Sequence, residues 1–121
     1  VLPAQHRLRS SADFSAVLRR RGKVSASARV VVVHANLIPG REDLPSRVGF
    51  VVGKSVGNAV IRNRTKRRLR EQCRARLSQL MPGADYVVRA QPAAAGASSA
   101  TLGSALDDAL RALGPRWSRV G

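Results

Sequence analysis

The sequence predicts an α/β domain in which one sheet carries helices packed on it. Val-rich, β-branched runs occur at 29–35, 47–53 and 85–90. Apolar residues recur at helical spacing near 11–21, 59–80 and 98–113. The two kinds of segment interleave as helix, strands, helix, strand, helix, which places them in one layered unit. With 121 residues and no internal repeat, 1–121 reads as a single domain.

The first helix is capped by Ser10 or Ser11, with Asp13 in its first turn, where a carboxylate suits the positive end of the helix dipole. Phe14, Val17 and Leu18 stand at i, i+3 and i+4 and give it one apolar face. It ends through Arg19-Arg20-Arg21 at Gly22. Arg29 to Ala35 is read as a strand around Val30-Val31-Val32-Val33; a short strand near 24–27 is not legible. Either Val30 and Val32 or Val31 and Val33 face away from the main core. Ile38 to Ser46, with Pro39-Gly40 and Pro45, is a loop.

Arg47 to Gly53 is the next strand. Val48, Phe50 and Val52 form a bulky side, expected to be core. Gly49, Val51 and Gly53 form a nearly flat side that something can approach closely. After the turn and cap at Gly57-Asn58, the longest helix is expected over 59–80, with Ile61, Thr65, Leu69, Cys73 and Leu77 as its buried stripe. Pro82-Gly83 follows it. Asp85 to Ala90 is a strand, and 91–100 a small-residue loop. The last helix begins at Ser98 or Ser99, buries Leu102, Leu106, Leu110 and Leu113, and stops at Gly114-Pro115. Trp117 then lies in a basic tail.

Composition narrows the function. Lys and Arg number 22 against 7 acids, a net charge of +15 that self-repels and calls for a polyanionic partner. Nucleic acid fits better than a membrane: no strongly apolar amphipathic helix is evident, no stretch suits a bilayer span, and the first nine residues lack a secretory core. The lone Cys73 permits no internal disulfide and fits a reducing cytoplasm, where it is expected to be core. No Cys/His cluster has metal spacing; His6 and His34 are expected to be structural or solvated, and Tyr86 and Trp117 to serve packing. The scattered acids form no identifiable acid/base or metal pair, so the protein itself is not expected to perform chemistry.

The sharpest signal is the run Arg62, Arg64, Lys66, Arg67, Arg68, Arg70, Arg74 and Arg76, in which Glu71 is the single acid. Cations such as Arg62/Lys66, Lys66/Arg70 and Arg64/Arg67 sit at i, i+4 or i, i+3. Six such pairs cost the helix on the order of 1–3 kcal/mol at low salt. Arg62 and Arg64 also oppose the macrodipole near the N-terminus. A merely solvated face would mix in acids; phosphates from a partner relieve this one. Arginine dominates, and its planar fork grips phosphate or stacks on unpaired bases, which favours structured or single-stranded RNA.

Residues 47–71, RVGFVVGKSVGNAVIRNRTKRRLRE, resemble the signature of the bacterial ribonuclease P protein family. The pattern comprises Arg47-Val48-Gly49, Lys54, Gly57-Asn58-Ala59-Val60, Arg62-Asn63-Arg64, Lys66-Arg67 and Arg70. Arg7-Leu8 and Asp13-Phe14 fit as well, and the element order agrees along the whole chain, loosely after Ala90. The resemblance implies a two-layer α/β sandwich with a four-stranded sheet and three helices, similar to ribosomal proteins, with a left-handed βαβ crossover against the usual rule. It implies a protein that binds a catalytic RNA and the 5′ leader of precursor tRNA, while the RNA, with Mg²⁺ held mainly by the RNA, hydrolyses the phosphodiester that frees the tRNA 5′ end. On that likeness Arg62, Asn63, Arg64, Lys66, Arg67, Arg70 and Lys54 contact the RNA subunit. Phe14, Leu18, Gly49 and Val51 fall on the leader cleft. Leu18 stands where relatives often carry a second aromatic, and a lone Phe14 on a helix face is as readily core as a stacking platform.

Two other functions compete. A structural RNA-binding protein, ribosomal for instance, would share the charge; the 47–71 pattern and an open cleft beside Phe14 discriminate against it. A sequence-specific DNA binder would need helix-turn-helix spacing before the basic helix, which is missing.

Overall fold

The computed structural model describes residues 2–120, with the backbone alone for 116–120. Three helices, α1 (Ser11–Arg19), α2 (Ala59–Arg74) and α3 (Ser99–Val120), pack on four strands, β1 (Val24–Ala28), β2 (Val31–Leu37), β3 (Arg47–Val51) and β4 (Ala84–Ala90). The sheet order is β1-β2-β4-β3. Its first two pairings are antiparallel, and β3 pairs β4 in parallel across α2.

Strand alternation divides the core. Val31, Val33 and Ala35 of β2, Tyr86 and Val88 of β4, and Val48 of β3 face α2 and α3, where Leu69, Leu102, Leu106 and Leu113 close the main core. The opposite face carries a smaller cluster of Leu8, Val17 and Val87 beneath α1, edged by Phe14, Leu18 and Val51. The bulky and flat sides of β3 are thus as expected. For β2, Val32 faces α1, while Val31 and Val33 are core; Val30 is buried in the turn.

Several boundaries differ from expectation. Val24–Ala28 is a full strand, paired to β2 through a two-residue turn at Arg29-Val30 in which Arg29 adopts φ 51°. That turn displaces β2 to 31–37 from the expected 29–35. β3 stops at Val51. α2 ends at Arg74 because Arg76 leaves helical geometry (φ −117°, ψ 12°), and a 3₁₀ turn, Leu77–Gln79, finishes the segment expected to be helix. A second such turn, Pro92–Gly96, occupies the small-residue loop. α3 continues through Pro115 to Val120, since a proline removes one hydrogen bond without always ending a helix. Trp117 therefore lies on the helix; its side chain is outside the described residues.

Capping follows the sequence. Ser10 Oγ accepts from the Asp13 amide at 3.1 Å, Asn58 Oδ1 from Ile61 at 3.0 Å, and Ser98 Oγ from Thr101 at 3.1 Å. Buried Asn36 of β2 donates to the carbonyls of Val17 and Arg20, which ties the end of α1 to the sheet.

Candidate nucleic-acid interface

The buried stripe of α2 (Thr65, Leu69 and Cys73, with Ile61 partly covered), continued by partly covered Leu77 in the 3₁₀ turn that follows, fixes where its cations point. Burial pushes the Cys73 thiol up to about 12, so it is inert core. Six polar side chains at the centre of α2, five of them basic, divide into three sets. Lys66 and Arg70 lie on the flank toward β3. Asn63 and Arg67 face outward, and with Lys66, Arg70 and Glu71 they line an open concavity of about 490 Å³. Arg64 and Arg68 lie on the other flank, donating to the carbonyls of Ala95 at 3.2 Å and Ala97 at 2.9 Å. Arg76 forks onto Asp107 of α3 at 2.7 and 3.1 Å, which holds that carboxyl below its usual range. Arg64, Arg68 and Arg76 are thus also ties within the fold. Arg62 is half-buried, and Lys54 stands on the exposed turn before α2. In the first turn of α2, Val60 is 75% exposed, the most open large apolar side chain among the described residues.

Across the sheet, the flat strip of β3 has an occupant. A Cβ on Gly49 would lie 2.3 Å from Phe14 Cζ and 3.0 Å from Leu8 Cβ, so the Phe14 ring rests directly on the glycine backbone. The ring remains only partly buried. Leu18 and Val51 sit beside it on the same cluster. The N-terminal segment runs along the free edge of β3, with Leu8 donating to the Val48 carbonyl at 3.0 Å. Around that edge, Arg7, Arg9, Phe14, Gly49, Lys66 and Arg70 line one concavity of about 220 Å³. The candidates of the basic helix and those of the flat strip therefore meet, although they come from opposite faces of the sheet. The sequence assigns neither Arg7 nor Arg9 to binding; Arg7 fits the family pattern with Leu8, and the placement of both depends on a long-range pairing with β3.

Beneath α1, Arg47 forks onto Asp85 at 3.0 and 2.6 Å, with Asp13 at 3.7 Å. Asp85 is fully buried, so removing Arg47 would strand a charge at a cost of about 3–5 kcal/mol. The histidines do have partners: His34 Nδ1 lies 2.7 Å from Ser25 Oγ, and His6 Nδ1 lies 2.7 Å from the Ser46 carbonyl. Burial, then Lys23 and Arg89, push His34 below its usual value, so it favours the neutral form. Among the described residues, no three or more His, Cys, Asp or Glu come together as a metal cage. No helix among the described residues is long and apolar enough to cross a membrane.

Fold and face define a basic two-layer α/β domain that presents one cationic helix beside an aromatic-bearing cleft. The chain matches the Ribonuclease P family over residues 2–114. It is 47% identical to the ribonuclease P protein component of Beutenbergia cavernae over 116 residues, which cover 96% of this chain and 94% of that protein. Over 117 residues it is 43% identical to that of Streptomyces avermitilis, covering 93% and 95%. Among solved structures, the Staphylococcus aureus RNase P protein superposes with a TM-score of 0.78 at 27% identity, covering 90% of this chain and 95% of that one. The Thermotoga maritima RNase P protein gives 0.71 at 26%, covering 84% and 92%. The chain belongs to the bacterial ribonuclease P protein component family.

Proposed function

We propose that this protein binds the catalytic RNA of ribonuclease P through α2 and the single-stranded 5′ leader of precursor tRNA beside Phe14, and so assists removal of the leader in the cytoplasm. The observation that carries this reading is the shared concavity in which Phe14 and Gly49 meet Lys66 and Arg70. One wall offers an aromatic for a base, the other offers cations for phosphates. Base–aromatic stacking contributes roughly 1–3 kcal/mol, and phosphate contacts release counterions. Arg62, Asn63, Arg67 and Lys54 extend the cationic wall toward the RNA subunit, and Arg64 adds to the RNA-facing surface from the other flank of α2; Leu18 and Val51 extend the apolar wall toward the leader. In this reading Mg²⁺ is held mainly by the RNA, which performs the hydrolysis. The protein neutralises phosphates and positions the leader.

The test mixes the protein with bacterial ribonuclease P RNA and precursor tRNA at low Mg²⁺. Stimulated cleavage at the tRNA 5′ end is expected, with no cleavage by RNA-free protein. No stimulation, or cleavage by protein freed of RNA, would refute the reading.

A further inference from the structure

We propose that a second phosphodiester-binding site lies on the far side of the N-terminal segment, between it and the 38–46 loop. A concavity of about 350 Å³ opens there, lined by Gln5, Arg7, Arg9, Asp13, Arg41 and Arg47 together with apolar side chains. None of the residues assigned to RNA under the proposed function lies in it. The inference rests on that function, with RNA as the partner, and adds where a strand runs once it leaves the Phe14 cleft.

Two arginines are held in place by backbone carbonyls. Arg7 Nε donates to Leu2 at 2.7 Å, and one Arg41 terminal nitrogen donates to Pro45 at 3.0 Å. Each keeps further N–H groups for a ligand, so little side-chain freedom is lost on binding. Arg41 Nε is buried without a hydrogen-bond partner among the described residues, as are Arg62 Nε and Arg64 Nε on α2, so it is the terminal nitrogens of Arg41 that are left to meet a ligand. Arg47 is committed to Asp85, with Asp13 nearby, so among the charged groups that line the hollow or bond to its lining, four guanidiniums stand against two carboxylates; Glu42 and Asp43 of the loop are not among its lining residues. Glu42, on the same loop, turns back to accept from the Gly40 amide.

The site is open, which suits a polymer backbone better than an enclosed small anion. Arg7 and Arg9 also line the Phe14 concavity, so the two hollows share a wall and form one cationic path around the N-terminal segment. A phosphodiester chain that contacts Lys66 and Arg70 meets Arg9 and then Arg41 if it continues in that direction.

The variants are Arg9→Ala, Arg41→Ala, their combination, and Arg41→Lys, which keeps the charge should loss of the Pro45 tie disturb the loop. Each is titrated with ribonuclease P RNA alone, and each reconstituted complex with leader-bearing precursor tRNA and with mature tRNA, across a salt series. The double alanine variant is expected to neutralise about two fewer phosphates, lowering the slope of log affinity against log salt by about 1.4 on a single strand. Arg41→Lys should hold the parent slope. A loss confined to leader-bearing tRNA assigns the site to the leader; a loss in binding the RNA subunit assigns it there. Parental slopes and affinities in the double variant with all three RNAs would overturn the proposal while leaving the α2 reading intact. A parent protein that binds none of the RNAs would overturn both.

Discussion

At residue scale the decisive contact is Phe14 on Gly49. The sequence shows that one side of β3 is flat, but not what lies on it, because the helix that fills it is more than thirty residues away and on no periodic register with the strand. Gly49 has no positive φ, so its constraint is purely steric. Gly49→Ala should displace the ring and destabilise by about 1–3 kcal/mol, as overpacking does. Phe14→Ala should cost less than the roughly 3–5 kcal/mol of a fully buried Phe, since the ring is partly open. In the Phe14→Ala background the clash with the ring is gone and the 3.0 Å approach to Leu8 Cβ remains, so adding Gly49→Ala should cost clearly less than it does in the parent. A double-mutant cycle by chemical denaturation checks this; costs that simply add would mean the ring does not rest on the glycine.

At element scale, α2 looks uniform in sequence and is not. Its period-four apolar stripe was legible, and so was its cap at Asn58. The division of its cations was not, because Arg64 and Arg68 bond to carbonyls of a turn some thirty residues on. Similarly, β1 was hidden because its hairpin turns on Arg29-Val30 rather than on Gly or Asn. The residues that make the turn thus read as the start of a strand. The early end of α2 carries no proline or glycine to announce it; Arg76 leaves the helix where it bonds Asp107 and Gln72. These divisions predict opposite phenotypes on one helix. Arg67→Ala with Arg70→Ala should leave stability unchanged or slightly raised, because like-charge neighbours are relieved. The same pair should flatten the salt dependence of RNA binding by about 0.7–0.9 for each phosphate no longer neutralised. Arg68→Ala should instead cost about 1 kcal/mol of stability, because its bond to Ala97 is removed, with the slope retained. Melting curves and salt titrations separate the two sets. A parental slope in the Arg67/Arg70 variant would remove the outward face of α2 from the interface.

At the scale of the whole molecule, charge and fold oppose each other. Four of the seven acids already face arginines within the fold: Asp85 and Asp13 at Arg47, Asp107 at Arg76, and Asp108 at Arg29 and Arg111. The remaining three are Glu42, Asp43 and Glu71, and with all seven counted the chain still carries a net charge of +15. The free protein therefore folds against its own repulsion, much of it concentrated on α2 and around the N-terminal arginines. Salt screens such repulsion, with a Debye length near 30 Å at 0.01 M and about 10 Å at 0.1 M. Raising salt over that range should stabilise the free protein, with a melting temperature higher by roughly 4 °C for each 1 kcal/mol of repulsion relieved. The same salt should weaken the complex, because it opposes counterion release. The two responses have opposite signs only if the surplus charge serves a partner rather than internal ion pairs. Calorimetry of free protein and of the RNA complex across one salt series measures both. A free protein that melts lower as salt rises would mean that its own salt bridges outweigh the repulsion, and its net charge would then give no reason to expect a polyanionic partner.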